Sequence, residues 1–283
     1  MGQILLRLYL RVVCGLGQEI RIMRLGGGGG GMPGGVSLGF QKPSRTLSWI
    51  IALNVSIYVL YLLFLRAGAS WVQELRLTPK SVIENGAVWQ PLTYLLLHAP
   101  QSPGHLIWNM LLLYMFGGTL ESWWGQKRFI RAYLIFGVSG AALIMIMGGI
   151  GQAGILSGFL GPLYETPTLG ASAAVMGMMT AWGIVHANQS MNFFLLGQMK
   201  GMTFVFIIIG IELLRALSFD NVSSTAHFGG IISAFILCKG LWRPEKLNTF
   251  VKRSQLKMKK KKIEHQLKVI KGGKDEDDKM KWN

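Results

Sequence analysis

Long apolar segments separated by short polar connections dominate the pattern of the chain. Six segments approach the ~20 apolar residues that a helix needs to cross a bilayer. They cover about residues 47–65, 105–120, 129–150, 171–187, 202–217 and 225–241. The pattern predicts an all-α polytopic membrane protein with a bundle of six transmembrane helices. The fourth segment is short for a lipid-facing helix, which predicts that other helices surround it.

The apolar segments divide the chain into three predicted regions. Residues 1–46 form an N-terminal cytoplasmic extension with a glycine-rich linker, residues 47–243 form the membrane domain, and residues 244–283 form a basic cytoplasmic tail. The first 25 residues are apolar and carry arginines, which suits either an interfacial amphipathic helix or a targeting peptide. A translation start at Met32 is a third interpretation. The connection at 66–104 is rich in tryptophan and leucine and is predicted to lie in the membrane interface.

Charge gives the membrane domain an orientation. The formal net charge is +16, and basic residues cluster before the first segment, between the second and third, and after the sixth. The positive-inside rule therefore predicts that both termini are cytoplasmic. The basic tail is predicted to contact an anionic lipid surface. Nucleic-acid binding is the other interpretation of a high charge, but the basic residues flank apolar segments without a DNA-reading motif, so no nucleic-acid partner is predicted.

Three polar side chains open segments that enter the membrane from the same side. His105 opens the second segment, Ser172 the fourth and His227 the sixth. A helix rises ~1.5 Å per residue, so these side chains are predicted to lie at a similar depth. Asn109 follows His105 by four positions and shares its helix face. Polar side chains inside a membrane are costly and tend to be functional, so their convergence predicts a site.

These residue types suit nucleophilic chemistry. A serine hydroxyl such as Ser172 needs a base to take its proton, and His227 can be that base. An oxyanion would need donors in place, which the backbone N–H of Ser172 and the side chains of His105 and Asn109 can supply. Small residues, including Gly170 and Gly230, would let the helices approach closely.

At these residues the sequence resembles the rhomboid family of intramembrane serine proteases. The motif Gly-x-Ser-x matches residues 170–173, and Ala-His-x-Gly matches residues 226–229. The second-segment pattern of two histidines and an asparagine matches His98, His105 and Asn109. Residues 118–125 resemble the region around the family's glutamate, here Glu121. The resemblance covers about residues 47–243 and implies a rhomboid-like six-helix bundle.

The resemblance implies a role for each matching residue. Ser172 would be the nucleophile and His227 the base, while His105 and Asn109 would support the oxyanion. His98 would be a structural hydrogen-bond partner near the base of the first loop, and Glu121 would hold that loop by hydrogen bonds. The implied mechanism is a Ser-His dyad without an acidic third member.

The acidic residues of the sequence agree with a dyad. Asp220 is the one aspartate outside the tail. Glu212 and Arg215 are three residues apart on the fifth segment and are predicted to pair locally. Neither residue needs a catalytic explanation on this interpretation.

The implied activity is endopeptidase cleavage of transmembrane segments of membrane-protein substrates near the outer leaflet, with small residues at the cleavage position. No cofactor or metal is predicted, because the sequence lacks a His-Glu-x-x-His motif, and Cys14 and Cys238 are too few for a zinc site. Two alternatives stay open: a non-catalytic member that binds client helices, and a channel or transporter. The predicted location is a bacterial inner (plasma) membrane, with the mitochondrial inner membrane as the alternative suggested by the acid-poor N-terminus.

Overall fold

A computed structural model describes residues 36–37, 43–193, 197–217 and 221–240, with three isolated positions at 256, 259 and 263. The chain divides into two compact units, Met1–Lys239 and Gly240–Asn283. Nearly all of the described residues belong to the first unit. The predicted interfacial or targeting segment, the glycine-rich linker and most of the basic tail lie outside the described residues, so the predictions made for them stay predictions.

Six long helices occur among the described residues, and each matches one predicted segment within a few residues. They are α1 (Arg45–Arg66), α2 (Pro103–Trp124), α3 (Gln126–Gln152), α4 (Ser172–Val185), α5 (Gly201–Leu217) and α6 (Asn221–Lys239). The hydroxyl of Ser44 caps α1 by accepting a hydrogen bond from the backbone N–H of Leu47 at 3.0 Å. Gly125, with φ +75°, separates α2 from α3. Glycine adopts that conformation without strain, which allows two long helices to follow each other directly.

Three of these helices are long and apolar enough to cross a membrane, judged by length and composition within the described residues. They are Arg45–Arg66, Gln126–Gln152 and Val222–Lys239. Large apolar side chains are exposed along α1, including Trp49, Leu53 and Leu63. Such a surface is the one that a lipid-facing helix presents. The mostly helical membrane fold is confirmed, while six crossings of the membrane stay a prediction.

Short elements fill the two long connections. The first connection contains 3-10 helices at Ser70–Leu75 and Tyr94–Leu96 and α-helical turns at Pro79–Glu84 and Gln90–Thr93. The second contains turns at Ser157–Leu160 and Pro162–Glu165. The buried side chain of Gln90 ties the first connection together, because its oxygen accepts from the N–H of Thr78 and its amide donates to the carbonyl of Glu74.

One small sheet departs from the predicted all-α architecture. A small sheet joins β1 (Val36–Ser37), β2 (Ser190–Phe193) and β3 (Gly197–Lys200) in that order. Strands β2 and β3 are antiparallel, with Ser190 opposite Lys200, and β1 is parallel to β2. The strands satisfy one another's backbone hydrogen bonds where the chain reverses between α4 and α5. Gly197, with φ +72°, supplies a conformation suited to the reversal.

Helix α4 is the centre of the bundle. It packs against α2, α3, α5 and α6, and eleven of its residues are buried. The prediction that other helices surround this short segment is therefore confirmed. The closest approach is to α6, where a methyl group added to Gly230 would lie 2.0 Å from the carbonyl oxygen of Ala173. This contact brings the start of α4 beside the middle of α6.

Candidate active site

A cavity of about 180 Å³ lies at the start of α4. Its walls include both Ser172 and His227, which are 55 positions apart in the chain. His105 and Asn109 from α2 and Gly170 from the preceding connection also line it. The other lining residues are Tyr94, Trp108, Leu112, Thr168, Leu169, Met176, Arg215, Ser223 and Ala226. The structure therefore brings together all four polar residues whose convergence the sequence predicts.

The backbone before Ser172 is fixed to the first long connection. Leu77 and Thr168 exchange two backbone hydrogen bonds of 2.9 and 2.7 Å, and the N–H of Gly170 donates to the carbonyl of Tyr94 at 2.9 Å. Ser172 is the first residue of α4. Its backbone N–H therefore belongs to the first turn, where the N–H groups have no partner within the helix. A donor of that kind is available to an anion in the cavity.

Gly170 lets the side chain of His105 come close to Ser172. Its φ is +131°, a conformation that a residue with a side chain rarely adopts. A methyl group placed there would lie 3.1 Å from Nε2 of His105 and 3.6 Å from Oγ of Ser172. Those two atoms thus flank the same small space. The glycine is required by its backbone conformation and by the room that His105 occupies.

Asn109 lies one turn below His105, as predicted. Its amide nitrogen donates to the carbonyl of His105 at 2.9 Å, and the side chain is buried against the cavity. An amide nitrogen carries two donors. One hydrogen can therefore stay with the helix while the second serves a group in the cavity.

Burial holds His98 neutral at ordinary pH. This residue lies in the connection before α2, and its ring packs against that of His105 with 5.3 Å between centroids. Burial, assisted by the charge that His105 can carry, lowers the pKa of His98 to about 4. His98 thus supports the ring of His105 by packing, a positioning contact beside the cavity.

Glu121 and Gly230 are not among the residues that line the cavity. Glu121 sits near the end of α2, and its carboxylate accepts a hydrogen bond from the hydroxyl of Ser44. Its contact therefore joins the start of α1 to the end of α2 rather than holding the first loop, because Glu121 is at the opposite end of α2 from that loop. Gly230 supports the site through the close α4–α6 contact.

Glu212 makes a contact that was not predicted from the sequence. Its Oε2 lies 2.8 Å from Nδ1 of His227, and both side chains are buried. The local pair with Arg215 exists but is looser, at 3.7 Å. The expectation that no acidic group accompanies the histidine is therefore wrong, because α5 packs against α6 and brings this carboxylate to the ring. The available signal was a lone acid within an apolar segment, which is a marker of function in membrane helices.

Two further glycines also shape the site, Gly140 outside the motifs and Gly229 at the end of the Ala-His-x-Gly motif. A methyl group on Gly140 of α3 would lie 2.5 Å from Cβ of Ala173 and 2.8 Å from the carbonyl oxygen of Ala226. One on Gly229 would lie 2.5 Å from the carbonyl oxygen of Ser139. Helices α3, α4 and α6 therefore meet with almost no side chain between them. The four-residue spacing of small residues was the usable signal for such contacts.

The fold is a bundle of apolar helices in which a half-buried serine and a buried histidine line one cavity, and this combination defines the class of protein to which the chain is compared. The sequence model of the Rhomboid domain family matches residues 85–244, more than half of the chain. The chain therefore belongs to the rhomboid family, and the resemblance seen in its motifs is confirmed.

Curated relatives come from bacteria and from a plant. The chain is 28% identical to Rhomboid protease GluP of Bacillus subtilis over 219 residues, which cover 76% of this chain and 38% of that protein. It is 28% identical to RHOMBOID-like protein 12, mitochondrial, of Arabidopsis thaliana, over 47% of this chain and 41% of the relative. It is 26% identical to the Putative rhomboid protease YdcA of Bacillus subtilis, over 55% and 68%. The chain thus spans about two fifths of the length of the first two relatives.

Proposed function

We propose that the chain is an intramembrane serine endopeptidase in which Ser172 is the nucleophile and His227 the general base. The observation that carries the proposal is the shared cavity, lined by both residues together with His105 and Asn109. Membership of the rhomboid family and the similarity to proteins named rhomboid proteases support it. A single cavity of this kind does not favour a channel, because a channel would need polar groups through the whole membrane thickness.

The proposed reaction proceeds through an acyl-enzyme. Oγ of Ser172 attacks the scissile carbonyl carbon while its proton passes to Nε2 of His227, and the electrons of the C=O bond move to the oxygen. The C–N bond then breaks, and His227 returns the proton to the leaving amine. Water next attacks the ester carbonyl and gives a proton to Nε2 of His227. The bond from the carbonyl carbon to Oγ then breaks as His227 passes that proton to Oγ, which releases the acid and restores both Ser172 and the neutral histidine.

The oxyanion would be stabilised by three donors. They are the backbone N–H of Ser172, the ring of His105 and the amide of Asn109. Donors fixed in place before the reaction are worth about 3–4 kcal/mol each in comparable sites. The bonds that hold Gly170 to Tyr94 and Asn109 to the carbonyl of His105 keep this group rigid without substrate.

The proposed substrates are transmembrane segments of other membrane proteins. A cavity of about 180 Å³ accommodates a short length of unwound backbone with small side chains, which supports small residues at the cleavage position. Positive-inside orientation with six crossings would put the start of α4 near the outer leaflet, and cleavage would occur there. A bacterial inner membrane is the proposed location, with the mitochondrial inner membrane as the alternative. The basic tail would contact anionic lipids.

Cleavage of a helical membrane substrate in proteoliposomes tests the proposal. The wild type is expected to cleave, and both Ser172→Ala and His227→Phe are expected to reduce cleavage to background. Ser122→Ala is a matched control, because that exposed hydroxyl bonds the carbonyl of Thr119 far from the cavity. Equal cleavage by the wild type and Ser172→Ala would reject the mechanism. Labelling of the serine by a fluorophosphonate, lost in Ser172→Ala, separates an enzyme from a non-catalytic helix-binding member.

A further inference from the structure

Glu212 is a buried acid in the apolar helix α5. Its side chain is 1% exposed. An ionised carboxylate in such surroundings is strongly unfavourable unless it is paired and hydrogen-bonded. The free-energy cost of burying this carboxylate must therefore be offset by a hydrogen-bonding partner.

Among the described residues, His227 lies closer to Glu212 than Arg215 does. Oε2 of Glu212 lies 2.8 Å from Nδ1 of His227, whose side chain is 5% exposed. Nη1 of Arg215 lies 3.7 Å from the other carboxylate oxygen, and that side chain is 44% exposed. A short contact between buried groups is much stronger than a longer one open to solvent. The histidine contact therefore dominates the interactions of this carboxylate.

We propose that Glu212 is a positioning residue for His227 and completes a Ser-His-Glu triad with Ser172. This inference rests on the proposed function of the same cavity. A carboxylate accepts but does not donate, so Nδ1 must carry the hydrogen of the neutral ring. Nε2 is then unprotonated and able to take the proton of the Ser172 hydroxyl. The carboxylate stabilises the imidazolium that results and keeps its own charge, without accepting the proton.

Replacing Glu212 by glutamine distinguishes two roles for this side chain: orienting the ring of His227, or only joining α5 to α6. Glutamine has the shape of glutamate and can hydrogen-bond Nδ1, so it preserves an attachment. Its NH₂ group can donate to Nδ1, which would hold the ring in the opposite tautomer, with the hydrogen on Nε2. A positioning carboxylate therefore predicts a large loss of serine reactivity from a change that leaves packing almost unaltered.

The first experiment compares full-length variants in detergent by fluorophosphonate labelling rate and by cleavage kinetics. Glu212→Gln is expected to lower the labelling rate and kcat by roughly 10²–10⁴-fold, with KM changed by less than about threefold. Glu212→Asp keeps the charge on a shorter side chain and is expected to be intermediate, a rescue that attachment alone does not predict. Glu165→Gln is the matched control, because Glu165 is exposed and pairs with Lys80 away from the cavity.

The outcomes distinguish this inference from the proposed function. If Ser172→Ala labels and cleaves like the wild type, the proposed function fails whatever Glu212 does. If wild-type labelling depends on Ser172 and His227 but Glu212→Gln retains the wild-type rate, the triad alone is overturned.

A second measurement uses the wild-type protein and does not depend on the folding of any Glu212 variant. Nitrogen-15 NMR of histidine-labelled protein, with His227 assigned by loss of its signals in His227→Phe, reports which ring nitrogen carries the hydrogen. Protonated Nδ1 and unprotonated Nε2 in the neutral ring are expected. Hydrogen on Nε2 with bare Nδ1 would overturn the proposal.

Discussion

The contact between Gly230 and Ala173 makes a sharp prediction about the start of α4. A methyl group on Gly230 would lie 2.0 Å from the carbonyl oxygen and 2.9 Å from the carbonyl carbon of Ala173, whereas ordinary contact begins near 3.4 Å. The obstructing atoms are backbone, so no side-chain rotation can relieve the overlap. Gly230→Ala therefore has to separate α4 from α6 by more than an ångström.

The magnitude follows from two opposing effects. Replacing glycine by alanine inside a helix favours folding by roughly 0.5–1 kcal/mol. Forcing a methyl group into a well-packed interior costs about 1–3 kcal/mol, and the upper end applies where backbone must move. We expect Gly230→Ala to destabilise the protein by about 2–2.5 kcal/mol net. This corresponds to a fall in Tm of several degrees for a domain of this size.

Gly149→Ala is the matched control on α3. Nothing lies within 4 Å of the methyl group that it would add, and its backbone is helical. Thermal unfolding in detergent should therefore show an unchanged or slightly raised Tm for Gly149→Ala and a lowered Tm for Gly230→Ala. Fluorophosphonate labelling of Ser172 should fall with Gly230→Ala alone, because Ala173 adjoins the serine. Equal Tm values and labelling rates for both variants would refute the close α4–α6 contact.

Three further changes test other parts of the site. Gly170→Ala is expected to lower kcat by 10-fold or more with a small change in Tm. The added methyl group would meet the ring of His105 at 2.8 Å and strain the positive φ, which would displace the proposed oxyanion donors. A kcat equal to that of the wild type would contradict this. Tyr94→Phe is expected to cost about 1 kcal/mol, because it removes the buried 2.6 Å hydrogen bond from the Tyr94 hydroxyl to the carbonyl of Gly137, and a Tm equal to that of the wild type would count against it. Because burial lowers the pKa of His98 to about 4 from 6.5, the unfolded chain takes up the proton first as pH falls, so stability is lost between about pH 6.5 and 4, by an amount on the order of 3 kcal/mol. His98→Gln should flatten that part of the profile of Tm against pH, and an identical profile for both proteins would disprove the assignment.

The helices were predictable because apolar length is a strong signal. All six predicted segments correspond to helices, and the ends differ by a few residues. The largest difference at a helix start is in α6, which begins at Asn221 instead of near Thr225. The short sheet at Ser190–Lys200 was not predicted, since its pairing depends on strand contacts that no local periodicity encodes.

The motif residues were predictable, while the contact of Glu212 with His227 was not. Ser172, His227, His105 and Asn109 carry the family's motifs and line one cavity. Glu212 has no motif, and the arginine three positions later supplied a sufficient local explanation. Which of two partners a buried carboxylate contacts depends on how α5 is rotated against α6, and a single sequence does not encode that rotation in a readable form.

The shortness of α4 explains how a serine at the very start of a helix can share a cavity with a histidine inside one. Helix α4 has 14 residues and is about 21 Å long, less than the ~30 Å hydrocarbon core. His227 lies six residues into α6, about 9 Å below its first residue. The two side chains can therefore meet when the start of α4 is recessed relative to the start of α6. A recessed start leaves irregular backbone at membrane depth, which is tolerated when protein groups satisfy its hydrogen bonds. The bonds of Thr168 to Leu77 and of Gly170 to Tyr94 meet this requirement. The long first connection thus stabilises the backbone that would place Ser172, the proposed nucleophile, below the membrane surface.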